Sequence, residues 1–219
     1  MSKLITIDYY TDILCVWAWI AQRRIDEINH SFEKTIELRH YYVDIFGDVP
    51  VKMRDQWQDR GGYQGFADHV TGSASKFEDA PVSRKVWTEI KPATSANAHM
   101  VLKAVEIIHG SRASADAALM LRTAFFVDAC DIGRLDVLYD LIKSSGLDQP
   151  AIDSRVNDGT AMAALMGDYQ HAKLQGIKGS PSYVLDGGRQ TLYGNVGYRV
   201  LRANIEELLD QPKDEASWC

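Results

Sequence analysis

The chain has 219 residues, 46% of them hydrophobic and 25% charged, with 24 basic against 30 acidic side chains and a formal net charge of −6. That balance belongs to a soluble globular protein that can bury a real core as one large domain or two small ones, and it excludes disordered and fibrous classes. No basic block occurs, so nucleic acid and anionic membrane are poor partners, and no apolar run approaches the roughly 18 residues needed to span a bilayer.

Residues 4–10, LITIDYY, are β-branched or aromatic with one aspartate, which predicts a strand. A helix should follow, with Trp17, Ile20, Ala21, Ile25 and Ile28 on its apolar face. Residues 35–45, TIELRHYYVDI, read as a second strand, and two strands around one helix make a βαβ unit with parallel strands. From residue 49 to about 92 the text turns rich in glycine, serine and charge (RGGYQGF, TGSASKF, EDAPVS), which predicts a loop-rich lid packed down by Trp57, Tyr63, Phe66, Phe77 and Trp87.

Helical periodicity returns after Pro92. One helix should end at Gly110, a second near Gly133 and a third at Gly146, because each glycine suits the left-handed residue that closes a helix. A shorter helix with Pro150 in its first turn and another over 160–174, stopped by Gly176, complete this part. The text SYVLDGGRQTLYG then reads as a hairpin turning at Asp186–Gly187–Gly188, and a last helix spans 198–209. The order βαβ, helical insertion, ββα predicts an α/β protein of thioredoxin fold. Residues 1–48 and 177–211 form its core, 49–176 the lid and helical insertion, and 212–219 a flexible tail.

Cys15 falls at the junction of the first strand and helix. Free N–H groups there favour a thiolate by about 0.3 to 2 kcal/mol, which lowers a thiol pKa by up to about one and a half units. Desolvation by Trp17 and Trp19 works the other way. Three widely spaced cysteines, Cys15, Cys130 and Cys219, form no disulfide framework and suit a reducing compartment. Asp8 and Asp12 interrupt what a secretory signal would need to keep apolar, so a cytoplasmic location is expected. Six histidines lack ligand spacing, and no metal site is expected.

The segment DILCVWAWIA resembles the DsbA-type motif in which an aspartate precedes CPWC, an aromatic residue and a small-residue helix start. Asp12, Cys15, Trp17 and Trp19 fall in register. GIKGSPSYVLDGG is similar to that family's cis-proline loop, and AHMVLKA and AFFVDACDIGRLDVLYDLIKSSGLD resemble the helical insertion of its cytoplasmic branch. That branch holds FrnE-like oxidoreductases and 2-hydroxychromene-2-carboxylate isomerases, with kappa-class glutathione transferases as relatives. The resemblance implies Cys15 as the reacting group and Ser180 and Pro181 beside it, with Trp17, Ala18, Thr94 and His99 completing a substrate or glutathione site. From the residues alone, His99 reads as a structural side chain near a helix start, and Cys130 as packing.

Two departures define the chemistry. Ala18 stands where a dithiol enzyme has its resolving cysteine and Val16 where it has proline, so no internal disulfide forms within the motif. What remains is monothiol exchange, with Cys15 forming a mixed disulfide that glutathione, another thiol or Cys219 resolves. The other readings are glutathione-dependent isomerisation or transfer, and a peptide-binding module without catalysis. Expected partners are a small thiol, a protein thiol or disulfide, and a second copy of the chain. No covalently bound cofactor is implied, and glutathione enters as co-substrate.

Overall fold

The computed structural model describes residues 4–210; the tail 212–219, with Cys219, lies outside the described residues. Strands β1 (Ile5–Thr11), β2 (Ile36–Tyr42), β3 (Ser182–Leu185) and β4 (Gln190–Tyr193) form one sheet in the order β2-β1-β3-β4. β1 runs parallel to β2, with Ile5 opposite Ile36, and antiparallel to β3, with Tyr9 opposite Tyr183. Period-two alternation sends Ile5, Ile7 and Tyr9 to one face, where they meet Ile25 and Ile28 of α1 (Val16–Ser31) and Leu201, Ile205 and Leu208 of α8 (Tyr198–Asp210). Tyr10 and Val184 go to the other face and pack on Val43 and on Ala172 of α7 (Thr160–Leu174). This is the thioredoxin topology, divided between β2 and β3 by the helical insertion.

The lid departs from expectation in being largely helical. It contains α2 (Val49–Lys52), a π-helical turn (Met53–Trp57), a 3₁₀ turn (Gln58–Arg60) and α3 (Gly62–Ala74). Asp48 caps α2 by accepting from the Val51 amide at 3.0 Å. Glycine-rich text concealed α3 because Gly65 is there for contact: a Cβ would lie 1.8 Å from the Arg60 carbonyl oxygen. Tertiary packing overrides propensity here. Trp57, Phe66 and the wholly buried Trp87 stack among Phe46 and Phe125 in the main core.

The helices expected to end at Gly110 and near Gly133 abut as α4 (Ala96–Phe126), broken at Gly110 by φ 86 and ψ 171. The second arm stops at Phe126. Gly133 lies in the turn that follows, its α-carbon face against Pro92. α5 (Leu135–Ser144) and α6 (Gln149–Asn157), with Pro150 in its first turn, complete the insertion.

Polar ties join insertion to core. Arg122 of α4, only 1% exposed, donates to Thr11 Oγ1 at 2.7 Å and to Gln22 Oε1 at 3.1 Å. Asp168 of α7 accepts from the Tyr42 amide at 3.1 Å and from Lys103 Nζ at 3.2 Å.

Candidate functional site

Cys15 is the N-cap residue of α1, with extended backbone, φ −79 and ψ 117, where β1 gives way to the helix. Its Sγ–H donates to the carbonyl oxygen of Ser180 at 3.2 Å, and the Ser180–Pro181 peptide bond is cis. Two segments 165 residues apart thus meet at one sulfur. The Asp12 amide donates to Ser180 Oγ at 2.9 Å, a second tie between the β1 end and the proline loop.

Cys15 is more enclosed than a helix-start position suggests, at 5% exposure, and lies within the main apolar cluster. Burial pushes its thiol up. The Ser180 hydroxyl and the main-chain amides of Ala18 and Trp17 pull it down, ionised Asp12 pushes it up again, and the balance stays above the ordinary value. The expectation of a helix-stabilised thiolate is therefore corrected: desolvation exceeds the helix N-terminus in the resting protein.

Asp12 organises the surroundings and is itself 0% exposed. Its Oδ1 accepts from the Leu14 amide at 2.9 Å, and its Oδ2 from the Phe46 amide and Ser95 Oγ, each at 2.9 Å. Burial raises this carboxyl to about 6, with those three donors and the more distant Arg122 opposing. His99 Nε2 accepts from the Ile13 amide at 3.0 Å, and its Nδ1 faces Tyr169 Oη at 3.4 Å. Burial, with Arg122, lowers His99 to about 3, so the 3.8 Å approach of its Nε2 to Asp12 Oδ1 is not an ion pair at neutral pH. Lys52 is the half-buried cation of this region, its Nζ 5.0 Å from the Phe46 ring centre and 3.0 Å from Gln56 Oε1.

The structure brings Cys15, Ala18, Ser180 and Pro181 together. Ala18 is wholly buried in the place of a second cysteine, and Trp17 is half-buried, edge-on to His69. Thr94 stands apart: its hydroxyl donates to the Gly47 carbonyl at 2.8 Å and accepts from the Ala96 amide at 3.0 Å, closing the start of α4. His99 lies behind the Ile13 backbone. Cys130 is partly buried against the main core. Ser95, Phe46 and Tyr169 were not singled out from sequence. Their roles arise from contacts across 83, 34 and 70 residues, which no local spacing records.

An open cleft of about 550 Å³ adjoins this network, walled by Val43, Ile45, Tyr169 and Ile177, with Lys173 and Lys178 at its rim. Among the described residues, no group of three or more His, Cys, Asp or Glu side chains could hold a metal ion, and no helix is long and apolar enough to cross a membrane.

The DsbA-like thioredoxin domain family matches residues 6–206. No curated protein matches the chain. Among solved structures, a candidate protein disulfide isomerase from Nitrosomonas europaea superposes with a TM-score of 0.77 at 17% identity, covering 95% of this chain and 98% of the other. The cytosolic disulfide reductase DsbM from Pseudomonas aeruginosa, also solved with GSH, gives a TM-score of 0.71 at 20% identity over 94% of this chain and 98% of the other. A 2-hydroxychromene-2-carboxylate isomerase gives 0.65 at 13% identity over 97% and 100%.

Proposed function

Because the chain belongs to the DsbA-like thioredoxin domain family, we propose that it is a monothiol thiol–disulfide oxidoreductase in which Cys15 is the nucleophile. The observation that carries this reading is the Cys15 sulfur, 3.2 Å from the Ser180 carbonyl ahead of Pro181, with Ala18 in place of a resolving thiol. Cys15, once deprotonated, attacks a sulfur of a substrate disulfide. A Cys15–S–S–R bond forms, the substrate S–S bond breaks, and the released thiolate takes a proton from solvent. A second thiol, glutathione by this reading, then attacks the R sulfur. It leaves with R as a new disulfide and returns Cys15 as a thiol, so exchange is balanced without an internal pair.

The buried, protonated thiol sets a condition on the reaction. Ionisation becomes easier once a docked substrate places its own groups around the sulfur. The reducing compartment that this chemistry needs fits a cytoplasmic location. The test uses a glutathionylated peptide with free glutathione. Wild type should turn over and be trapped as a mixed disulfide on Cys15, and Cys15→Ser should do neither; equal rates for the two proteins overturn the proposal.

The same protonated thiol favours a second reading, glutathione-dependent isomerisation or transfer, in which no covalent bond to Cys15 forms. There Cys15→Ser keeps activity, which separates the two readings.

A further inference from the structure

Among the described residues, Asp12 is the one fully buried carboxylate in direct hydrogen-bond contact with three segments that frame the sulfur. Leu14 belongs to the turn entering α1, Phe46 to the turn leaving β2, and Ser95 to the residue ahead of α4; all three donate to it at 2.9 Å. Its own backbone serves the two remaining pieces: its carbonyl oxygen accepts from the Cys15 amide at 3.1 Å, and its amide donates to Ser180 Oγ. A carboxylate that, among the described residues, is held by neutral donors and has no charged partner in hydrogen-bond contact is an electrostatic arrangement as well as a structural one.

We propose that Asp12 is a proton-linked positioning residue for Cys15. Its hydrogen bonds hold the sulfur against the proline loop, and its charge opposes thiol ionisation, so that taking up one proton at Asp12 makes Cys15 easier to ionise. The proposal rests on the reading above only in taking Cys15 as the reacting atom.

The groups that act on Asp12 come from each element packed around it: Cys15 at the start of α1, Lys52 from α2, Ser95, His99 and Arg122 from the start and body of α4, and Tyr169 from α7. His99 is neutral there and Tyr169 un-ionised, so the coupled pair is Asp12, which titrates first, with Cys15, whose thiol stays above its ordinary value. Two coupled sites titrate in macroscopic steps. Below pH about 6, where Asp12 is protonated, the thiolate population grows tenfold per pH unit. Above it, each further thiolate forms beside a charge, and the rise flattens before resuming.

The readout is the rate of Cys15 alkylation by iodoacetamide from pH 4.5 to 10, with Cys130 and Cys219 replaced by serine in every protein compared. This background should show a shoulder near pH 6 in the logarithm of the rate. Asp12→Asn should remove the shoulder and raise the rate at pH 8 by about tenfold, the effect of one pKa unit at the low end of like-charge shifts. Ser95→Ala, which deletes one donor to the carboxylate and keeps the charge, should move the shoulder to higher pH and serves if Asp12→Asn does not fold. A profile without a shoulder in the background protein, a shoulder that survives Asp12→Asn, or one unmoved by Ser95→Ala overturns the proposal. Because alkylation needs no turnover, a failed exchange assay would leave this profile intact.

Discussion

Acid should loosen the protein through His99, and the size of the effect follows from its surroundings. In the folded chain the imidazole is lowered to about 3 by burial and by Arg122, and its Nε2 lone pair is occupied by the Ile13 amide. The unfolded residue takes its proton near pH 6.5. A group whose folded pKa is depressed gives stability that is present above the unfolded pKa and lost as pH falls toward the folded one. Between pH 7 and pH 5 the unfolded state gains the proton and the folded state does not, which is worth about 2 kcal/mol at 1.36 kcal/mol per unit. The result barely depends on the folded value, since anything below about 4 leaves the folded imidazole neutral at pH 5.

His99→Gln keeps an acceptor within reach of Ile13 and carries no titratable group. Urea unfolding at pH 7 and pH 5 on both proteins isolates the term. His40 is likewise lowered to about 3 by burial, and Asp12, raised to about 6, contributes with the opposite sign, but both are present in each protein and cancel in the difference. Wild type should lose about 2 kcal/mol more than His99→Gln over that interval. Equal pH slopes would mean that the imidazole is solvated or already charged in the folded protein, and the reasoning would fail.

Gly179→Ala should change stability by no more than about 0.5 kcal/mol in chemical denaturation: its Cβ would lie 2.1 Å from Tyr193 Oη, but that hydroxyl ends a 62%-exposed side chain free to swing aside, and a loss that Tyr193→Ala relieves in a double-mutant cycle would refute this. Lys103→Met strips the buried Asp168 of its cation, 3.2 Å away, and should cost about 3 kcal/mol at pH 7. Adding Asp168→Asn should recover part of that in the thermal midpoint, and a loss under about 1 kcal/mol for the single change would show the pair to be solvated.

The elements that sequence reveals best are those whose signals are local. β1, α1, α7, the hairpin and α8 lie within a few residues of their expected bounds because alternation, helical stripes and closing glycines act over one or two turns. α3 did not declare itself, since one of its glycines, Gly65, serves a close approach to the Arg60 carbonyl that only the folded chain contains. The meeting of Cys15 with Ser180–Pro181 was legible through motif resemblance rather than through spacing. What the motif could not convey was the dielectric around the sulfur: the helix start was visible in the text, and the enclosure that outweighs it was not.

The insertion is fastened to the core by side chains whose partners are deep in both. Arg122 reaches the last residue of β1, Asp168 the last of β2, and Ser95 and His99 the turn between β1 and α1. Pulling the two parts asunder would strand a guanidinium and two carboxylates in dry surroundings before any solvent arrived. The helices therefore cannot be exchanged as a cassette: a graft from another member would have to bring its own counterparts on the sheet, and a cut at the two junctions should yield neither half as a folded piece.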